Sequence, residues 1–277
     1  EHESVLETAR DMERAGEAEV VVVPVNREGI VDIGALERAL DDRTVLVSIQ
    51  YVNNETGVVQ PIHEIAKMIR NFRNSKSQVP NSKQIPNPKF KTNPSASDFS
   101  SAYPFLHVDA VQAFNYLDCS LPGLGVDLMT LSAHKCYGPK GVGILCINNK
   151  PTNNKQRNPS GYALDPIITG GGQEFGLRSG TENVAGIVGC AAALALAAER
   201  REKDAGRVGK LATLFFTELS KRVPGVEMNG AYRGSTSGDQ RSNLFAPHIL
   251  NLALPEGCTL ELVVALDQAG LAVSSGS

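Results

Sequence analysis

The sequence has few cysteines, no long apolar run and no excess of one charge. Its 277 residues contain five cysteines, an odd number at ordinary frequency, which excludes a disulfide-based scaffold and indicates reduced thiols. The 27 Lys and Arg against 30 Asp and Glu give a net charge of −3, so no basic field favours nucleic acid. The longest apolar stretch, residues 184–198, covers 15 residues, fewer than the ~20 that cross a bilayer. We therefore expect a cytoplasmic protein, or a mitochondrial-matrix protein in a eukaryote, with no direct contact to membrane or nucleic acid.

The two ends of the sequence lack the features that begin or complete a domain. It opens with Glu1, His2 and Glu3, without the basic and apolar lead of a signal peptide. Residues 271–277 stop in small side chains just after a strand-like run. We therefore expect a partial chain.

Strand and helix patterns alternate through the first two thirds of the sequence. The predicted helices are residues 3–15, 33–40 and 62–72, and the predicted strands are residues 19–25, 44–52, 105–109, 127–132 and 142–147. This alternation predicts an α/β fold with a mostly parallel sheet and helices on both faces. Ligands of such sheets bind beyond the carboxyl ends of the strands.

The pattern changes after residue 181. Two long helices are predicted over residues 184–201 and 208–223, followed by a strand, a helix and a strand over residues 248–254, 259–268 and 271–274. We therefore predict a large domain over residues 1–205 and an incomplete small α+β domain over residues 206–277.

Two segments do not fit either domain. Residues 74–101 include 19 Ser, Asn, Pro or Lys among 28 and show no period, which predicts a disordered surface insertion. Residues 231–243 resemble a second, shorter insertion. A passive insertion is favoured over a partner-binding segment.

The first chemical motif, residues 132–141, follows a predicted strand. Lys135 at the end of a buried strand would be partly desolvated, which lowers the pKa of a lysine and frees its amine to form a Schiff base. Ser132 and His134 flank it and could hold a phosphate. Taken alone, Lys135 is better explained as a surface lysine beside a turn, and Lys140 has no feature against that interpretation.

The second motif, residues 107–112, places Asp109 at the tip of the preceding strand and Gln112 three residues later. An aspartate beside a lysine at neighbouring strand tips is the arrangement that pyridoxal phosphate requires, because the carboxylate keeps the pyridine nitrogen protonated. Asn54, after a third strand, could donate to the ring hydroxyl. The alternatives are a helix N-cap for Asp109 and a turn former for Asn54.

A glycine-rich segment, residues 170–172, precedes a predicted helix. Three consecutive glycines indicate a close backbone approach or an unusual loop. Thr181 could present its hydroxyl and backbone N–H to a phosphate at the start of that helix. An N-cap formed by Thr181 or Asn183 explains the same pattern.

Together these motifs resemble the cysteine desulfurases of the NifS/IscS type, a group of class V, fold-type I pyridoxal-phosphate enzymes. The matching segments, in family order, are residues 1–6, 52–58, 107–112, 132–135, 170–181 and 272–277. The resemblance implies a homodimer that transfers sulfur from L-cysteine to a cysteine thiol, with L-alanine as product. The persulfide sulfur would then pass to an iron–sulfur scaffold or a tRNA thiolation enzyme.

The resemblance also implies roles for single residues. Lys135 would attach the cofactor, and Asp109 would hold the pyridine nitrogen. His2 would stack on the ring and carry protons. The remaining roles are contacts to the ring hydroxyl by Asn54 and Gln112, and contacts to the phosphate by Ser132, His134 and, from the other subunit, Thr181.

Some features depart from the resemblance. The family's nucleophilic cysteine follows a segment at which this chain ends, and neither Cys136 nor Cys258 occupies its position. His248 stands after Pro247 where the resemblance leads us to expect an asparagine. A selenocysteine lyase or another β-lyase on the same scaffold, and a non-catalytic scaffold, therefore stay open as alternatives.

Overall fold

The computed structural model describes residues 1–77, 103–148, 164–230, 245–255 and 260–275. The helices are α1 (Glu3–Arg14), α2 (Ile33–Ala39), α3 (Ile62–Ser77), α4 (Leu121–Leu124), α5 (Val184–Arg222) and α6 (Leu260–Gln268). The strands are β1 (Leu46–Gln50), β2 (Phe105–Asp109), β3 (Leu128–Ser132), β4 (Gly143–Ile147), β5 (Glu227–Met228) and β6 (Leu252–Ala253). Short 3₁₀ turns occupy Ala133–Cys136 and Glu174–Gly176.

Polar side chains cap the first turns of several helices. His2 caps α1, Asp32 caps α2 through a hydrogen bond from the Ala35 backbone N–H, and Asn183 caps α5. Each supplies an acceptor to a backbone donor that the helix itself cannot satisfy. Local sequence therefore determines where these helices begin.

The main sheet has the order β1-β2-β3-β4. β1, β2 and β3 are parallel, whereas β4 is antiparallel to β3. The register places Gln50 opposite Asp109 and Asp109 opposite Thr130. The prediction of an α/β fold with a mostly parallel sheet is therefore confirmed.

The two faces of this sheet differ in polarity because side chains alternate along each strand. One face carries buried apolar residues, which are Val47, Ile49, Leu106, Val108, Met129 and Leu131. They form a single core with three buried residues of α3, which are Ile62, Ile65 and Ile69. The other face carries polar residues, namely Ser48, Gln50, His107, Asp109, Thr130 and Ser132. The alternation therefore anchors the sheet on one side and presents functional groups on the other.

The strand predicted over residues 19–25 is wrong. Only Val25 makes a bridge, to Val31, while Val21 and Val22 are exposed. A β-branched run becomes a strand only when a neighbouring strand supplies hydrogen bonds and packing. Among the described residues, no strand lies beside this run.

The two helices predicted after residue 183 are one continuous helix, α5. Gly206 lies between the two predicted helices, but a glycine costs a helix only about 1 kcal/mol. An ion pair of 3.5 Å between Asp204 and Arg207 also spans this point. The predicted domain boundary after residue 205 falls inside α5, and the domain division itself stays a prediction.

Other boundaries also differ from the predictions. Residues 271–275 form no strand, and β6 pairs instead with β5 as a two-residue antiparallel ladder. Residues 74–77 of the predicted insertion belong to α3, while residues 78–101 and the second insertion lie outside the described residues. Within the described part of the chain, every helix is too short or too polar to cross a membrane.

We predict that Leu36→Ala lowers the free energy of unfolding by about 2–5 kcal/mol. Leu36 is buried in α2 within the main core, so its truncation leaves a cavity. Leu211→Ala is the matched control, since Leu211 lies half exposed on α5 and should change stability by no more than about 0.5 kcal/mol. Urea unfolding measures both variants, and equal losses would contradict this assignment of the core.

Candidate active site

The carboxyl end of β2 presents a buried carboxylate. Asp109 is 7% exposed, and its Oδ1 accepts a hydrogen bond of 2.9 Å from the Val111 backbone N–H. Asp109 therefore caps a turn and not a helix, since residues 111–116 form turns, and its helix N-cap interpretation is wrong. The cap does not exclude a second role, because a carboxylate accepts about four hydrogen bonds.

The carboxyl end of β1 adds three amides. Gln50 donates to Oδ1 of Asn54 at 2.9 Å and accepts from Asn53 at 3.3 Å. The turn former is Asn53, whose Oδ1 accepts from the backbone N–H groups of Glu55 and Thr56. Because the carbonyl of Asn54 is engaged, its NH₂ group is the part left to donate.

Sequence reasoning missed Gln50, although a signal was present. It is a buried glutamine at the end of β1, directly opposite Asp109 in the register and just before the Asn53–Asn54 turn. A buried side-chain amide requires partners. Its contact with Asn54 shows that it orients the predicted site residue.

The carboxyl end of β3 carries the turn with Lys135. Oγ of Ser132 and Nδ1 of His134 form a hydrogen bond of 2.7 Å. The side chains of His134 and Lys135 are exposed, while the Lys135 carbonyl accepts from Asn115 at 2.7 Å. The turn therefore holds the backbone of Lys135 and leaves its side chain exposed, so the predicted partial desolvation of this lysine is wrong.

A histidine from the far end of the chain joins the two motifs. Nε2 of His248 lies 3.4 Å from Oε1 of Gln112, and the ring stacks on Tyr116 at 4.2 Å. Burial, and secondarily the charge of Lys135, lower the pKa of His248 to about 4. Asn115, which donates to the Lys135 carbonyl, directly precedes Tyr116, so the turn with Lys135 and the His248 ring contact adjacent residues of the same loop.

The polar face of the sheet continues behind Asp109. His107 bridges its neighbours, with Nδ1 2.8 Å from Ser48 Oγ and Nε2 3.3 Å from Thr130 Oγ1. Burial lowers the pKa of His107, and the charge of Asp109 partly opposes this. This row links β1, β2 and β3 beneath the site.

His2 lies at the start of α1. Its Nδ1 accepts a hydrogen bond of 3.1 Å from the Ser4 backbone N–H, and its side chain is exposed. Within the described residues, no hydrogen bond joins His2 to the three strand ends. Its predicted ring contact with the cofactor therefore stays a prediction.

In the described part of the chain, no hydrogen bond joins Thr181 to the three strand ends either. It is exposed, and the helix that follows is capped by Asn183. In the glycine segment, the buried Ser179 accepts from Gly172 at 3.2 Å, and Gln173 accepts from Gly180 at 2.9 Å. These bonds hold the loop that presents Thr181.

The whole chain matches the family described as aminotransferase class-V, over residues 1–102 and 100–277. The chain belongs to the aminotransferase class-V family.

Curated relatives within this family are named as cysteine desulfurases. The chain is 35% identical to cysteine desulfurase IscS of Dictyoglomus turgidum over 278 residues, which is all of this chain and 57% of the relative. It is 34% identical to the mitosomal cysteine desulfurase of Trachipleistophora hominis, of which it covers 52%. The chain therefore spans little more than half the length of these relatives.

Solved structures agree with the fold. A NifS-like protein superposes with a TM-score of 0.77 at 32% identity, over 99% of this chain and 61% of that one. DndA from Streptomyces lividans superposes with a TM-score of 0.69 at 28% identity, over 97% and 62%. The fold is therefore that of the NifS-like members of the family, as the resemblance implied.

Two of the described cysteines are unsuited to nucleophilic chemistry. Cys119 and Cys136 are buried, and burial raises the pKa of Cys119 to about 12 and of Cys136 to about 11. A thiol with such a pKa is protonated near neutral pH and reacts poorly. Cys136 therefore occupies a packing position despite its place beside Lys135, and Cys258 lies outside the described residues.

We predict that acid destabilises the fold through His248. The unfolded histidine binds a proton below about pH 6.5, whereas the folded one does so only near pH 4. Because the unfolded state binds more protons between these values, stability is present above pH 6.5 and is lost as the pH falls towards 4. One pKa unit corresponds to about 1.4 kcal/mol, so the loss from pH 7 to 5 is about 2 kcal/mol.

Urea unfolding at pH 7 and pH 5 measures this loss. His248→Gln should remove about 2 kcal/mol of the pH dependence, while His63→Gln, at an exposed position on α3, should leave it unchanged. An unaltered pH dependence in His248→Gln would contradict the buried, neutral state of this ring.

Proposed function

We propose that this protein is a pyridoxal-phosphate-dependent cysteine desulfurase. It converts L-cysteine and an enzyme thiol into L-alanine and an enzyme persulfide. The observation that carries the proposal is the juxtaposition of β2 and β3, which end side by side in Asp109 and in the turn with Lys135. The names of the curated relatives support the same reaction.

The donor set at the strand ends fits the cofactor. A buried carboxylate, Asp109, suits a protonated pyridine nitrogen. The accessible amine of Lys135 suits the aldehyde carbon, and the paired Ser132 and His134 suit a phosphate. The free NH₂ group of Asn54 suits an oxygen anion on the ring.

When bound, the cofactor supplies an electron sink for the bond cleavage at the amino acid. The residues of this chain do the rest. Lys135 holds the cofactor and then carries a proton to and from the substrate carbon. Asp109 keeps its carboxylate against the pyridine nitrogen, and Gln112 contacts the ring hydroxyl. His2 covers the ring and moves a proton at its imidazole.

A homodimer is part of the proposal. Large apolar side chains before and after Thr181 in the sequence are exposed, among them Ile167, Phe175 and Val184, at 99%, 76% and 66%. Exposed apolar surface is typical of protein contacts when such side chains lie together. A second copy that covers them would carry its Thr181 towards the phosphate of the first.

The proposed partners follow from the reaction. The persulfide sulfur passes to an acceptor protein, either an iron–sulfur scaffold or a tRNA thiolation enzyme, in the cytoplasm or in a mitochondrial matrix. The formal charge of −3 gives no support to direct binding of the tRNA itself.

The test uses the full-length polypeptide with pyridoxal phosphate. An absorption band that borohydride reduces onto the peptide of Lys135, with alanine and sulfide released from L-cysteine in the presence of a thiol reductant, is the expected result. Faster turnover of L-selenocysteine would favour the lyase alternative. Cofactor binding without any sulfur release would favour a non-catalytic scaffold, and absence of the band would refute the enzyme.

A further inference from the structure

His248 reaches the candidate site from a segment far along the chain. Phe245 makes an antiparallel bridge with Val58, and the Ala246 N–H donates to the Gly57 carbonyl at 2.8 Å. Gly57 has φ 72°, and a Cβ there would lie 2.9 Å from the Phe245 ring. Glycine therefore permits the approach that carries His248 to the site.

The hydrogen bonds of His248 determine which nitrogen bears its proton. Nδ1 is buried without a hydrogen-bond partner in the described residues, whereas Nε2 faces Oε1 of Gln112 at 3.4 Å. A buried N–H without an acceptor costs about 1–3 kcal/mol. The neutral ring therefore carries its proton on Nε2, where an acceptor is present.

This tautomer sets the orientation of the neighbouring amide. A donor at Nε2 must face the carbonyl oxygen of Gln112, because the NH₂ group would place two donors against each other. The NH₂ group of Gln112 is thereby turned away from His248.

We propose that His248 is a positioning residue that holds the Gln112 amide with its NH₂ group free to donate to the cofactor's ring hydroxyl. The inference rests on the proposed function, because it assumes that Gln112 contacts this hydroxyl. It adds a residue that the motifs do not assign, since the resemblance predicts an asparagine at this position.

Tyr116 keeps the imidazole in place. Its ring lies nearly parallel to that of His248, at 17° and 4.2 Å. Its hydroxyl interacts with Tyr137, and burial together with this bond raises the pKa of Tyr116 to about 12. The ring of His248 is thus fixed between an aromatic face and the Gln112 carbonyl.

The variants that test the proposal are His248→Leu, which removes the donor, and His248→Gln, whose Nε2 can replace it. A hydrogen-bond donor to the ring oxygen stabilises the negative charge on that oxygen. The donor therefore lowers the affinity of the oxygen for the proton that it shares with the Lys135 linkage. Loss of one neutral hydrogen bond, about 0.5–1.5 kcal/mol, should therefore raise the pH midpoint of the cofactor absorption band by about 0.5–1 unit. The cofactor Kd should rise about 2- to 10-fold.

The supporting result is this shift in His248→Leu, its reversal in His248→Gln, and no further shift when His248→Leu is added to Gln112→Ala. The double-mutant comparison isolates the pair from general effects on folding. An equal shift in the Gln112→Ala background, or a change in melting temperature without a shift, would overturn the proposal.

A second measurement needs neither a variant nor the cofactor. The ¹⁵N chemical shifts of His248 in the apoprotein report which nitrogen is protonated, and we expect Nε2–H. A proton on Nδ1 would overturn the proposal. Failure of the wild type to bind the cofactor would refute the proposed function itself, and it is distinguished from failure at His248 because the wild type then gives no absorption band.

Discussion

Lys135→Ala is expected to abolish the covalent attachment of pyridoxal phosphate and to lower turnover of L-cysteine by at least ~10²–10⁴-fold. The lower bound is the usual contribution of a general acid–base group, and the loss of the covalent link adds to it. The structure supports this because the turn at the end of β3 fixes the lysine backbone and leaves its side chain exposed. Absorbance, borohydride reduction and alanine release measure the effect.

Lys140→Ala is the matched control for Lys135→Ala. Lys140 lies exposed five residues further along the same turn region, so the variant removes the same charge and should leave the absorption band and turnover unchanged. A reducible band that persists in Lys135→Ala would place the attachment at another lysine.

Asp109→Asn is expected to lower turnover by about 10- to 150-fold with little loss of stability. The amide can still accept from the Val111 N–H, so the cap survives while the charge is lost. A hydrogen bond to a charged group contributes about 1.5–3 kcal/mol, which converts to that range of rates. The kcat and the cofactor absorption spectrum measure the loss, and urea unfolding measures stability.

Asp118→Asn controls for removal of a carboxylate from the same loop. Its side chain is 74% exposed and lies 3.8 Å from Arg201, so turnover should stay at the wild-type level. Unchanged turnover in Asp109→Asn would mean that Asp109 only caps the turn after β2.

The confirmed predictions are those made from local sequence patterns. Periodicity placed β2 at the observed residues, and it placed the starts of α1, α2, α3 and α5. The same alternation separates the core face of the sheet from the polar face that carries Asp109. Such features depend on neighbouring residues, and these are visible in a sequence.

The predictions that were wrong depended on distant partners. Residues 19–25 have strand-forming side chains, but no strand of the described chain lies beside them. The two helices predicted over residues 184–201 and 208–223 are one helix, α5, which continues through Gly206. Gln50 was not predicted as a site residue, because its role depends on its position opposite Asp109 on β2.

The sequence by itself determined the chemical groups available to this protein, namely a lysine, a carboxylate, amides and hydroxyls that follow its predicted strands, and it indicated the family that the comparisons show. Only the tertiary structure decided that His248, 136 residues from Gln112, is its hydrogen-bond partner. The physical reason is that parallel strand ends are brought together by the sheet. The orientation of an amide or an imidazole, by contrast, depends on which donor or acceptor the folded chain places against it.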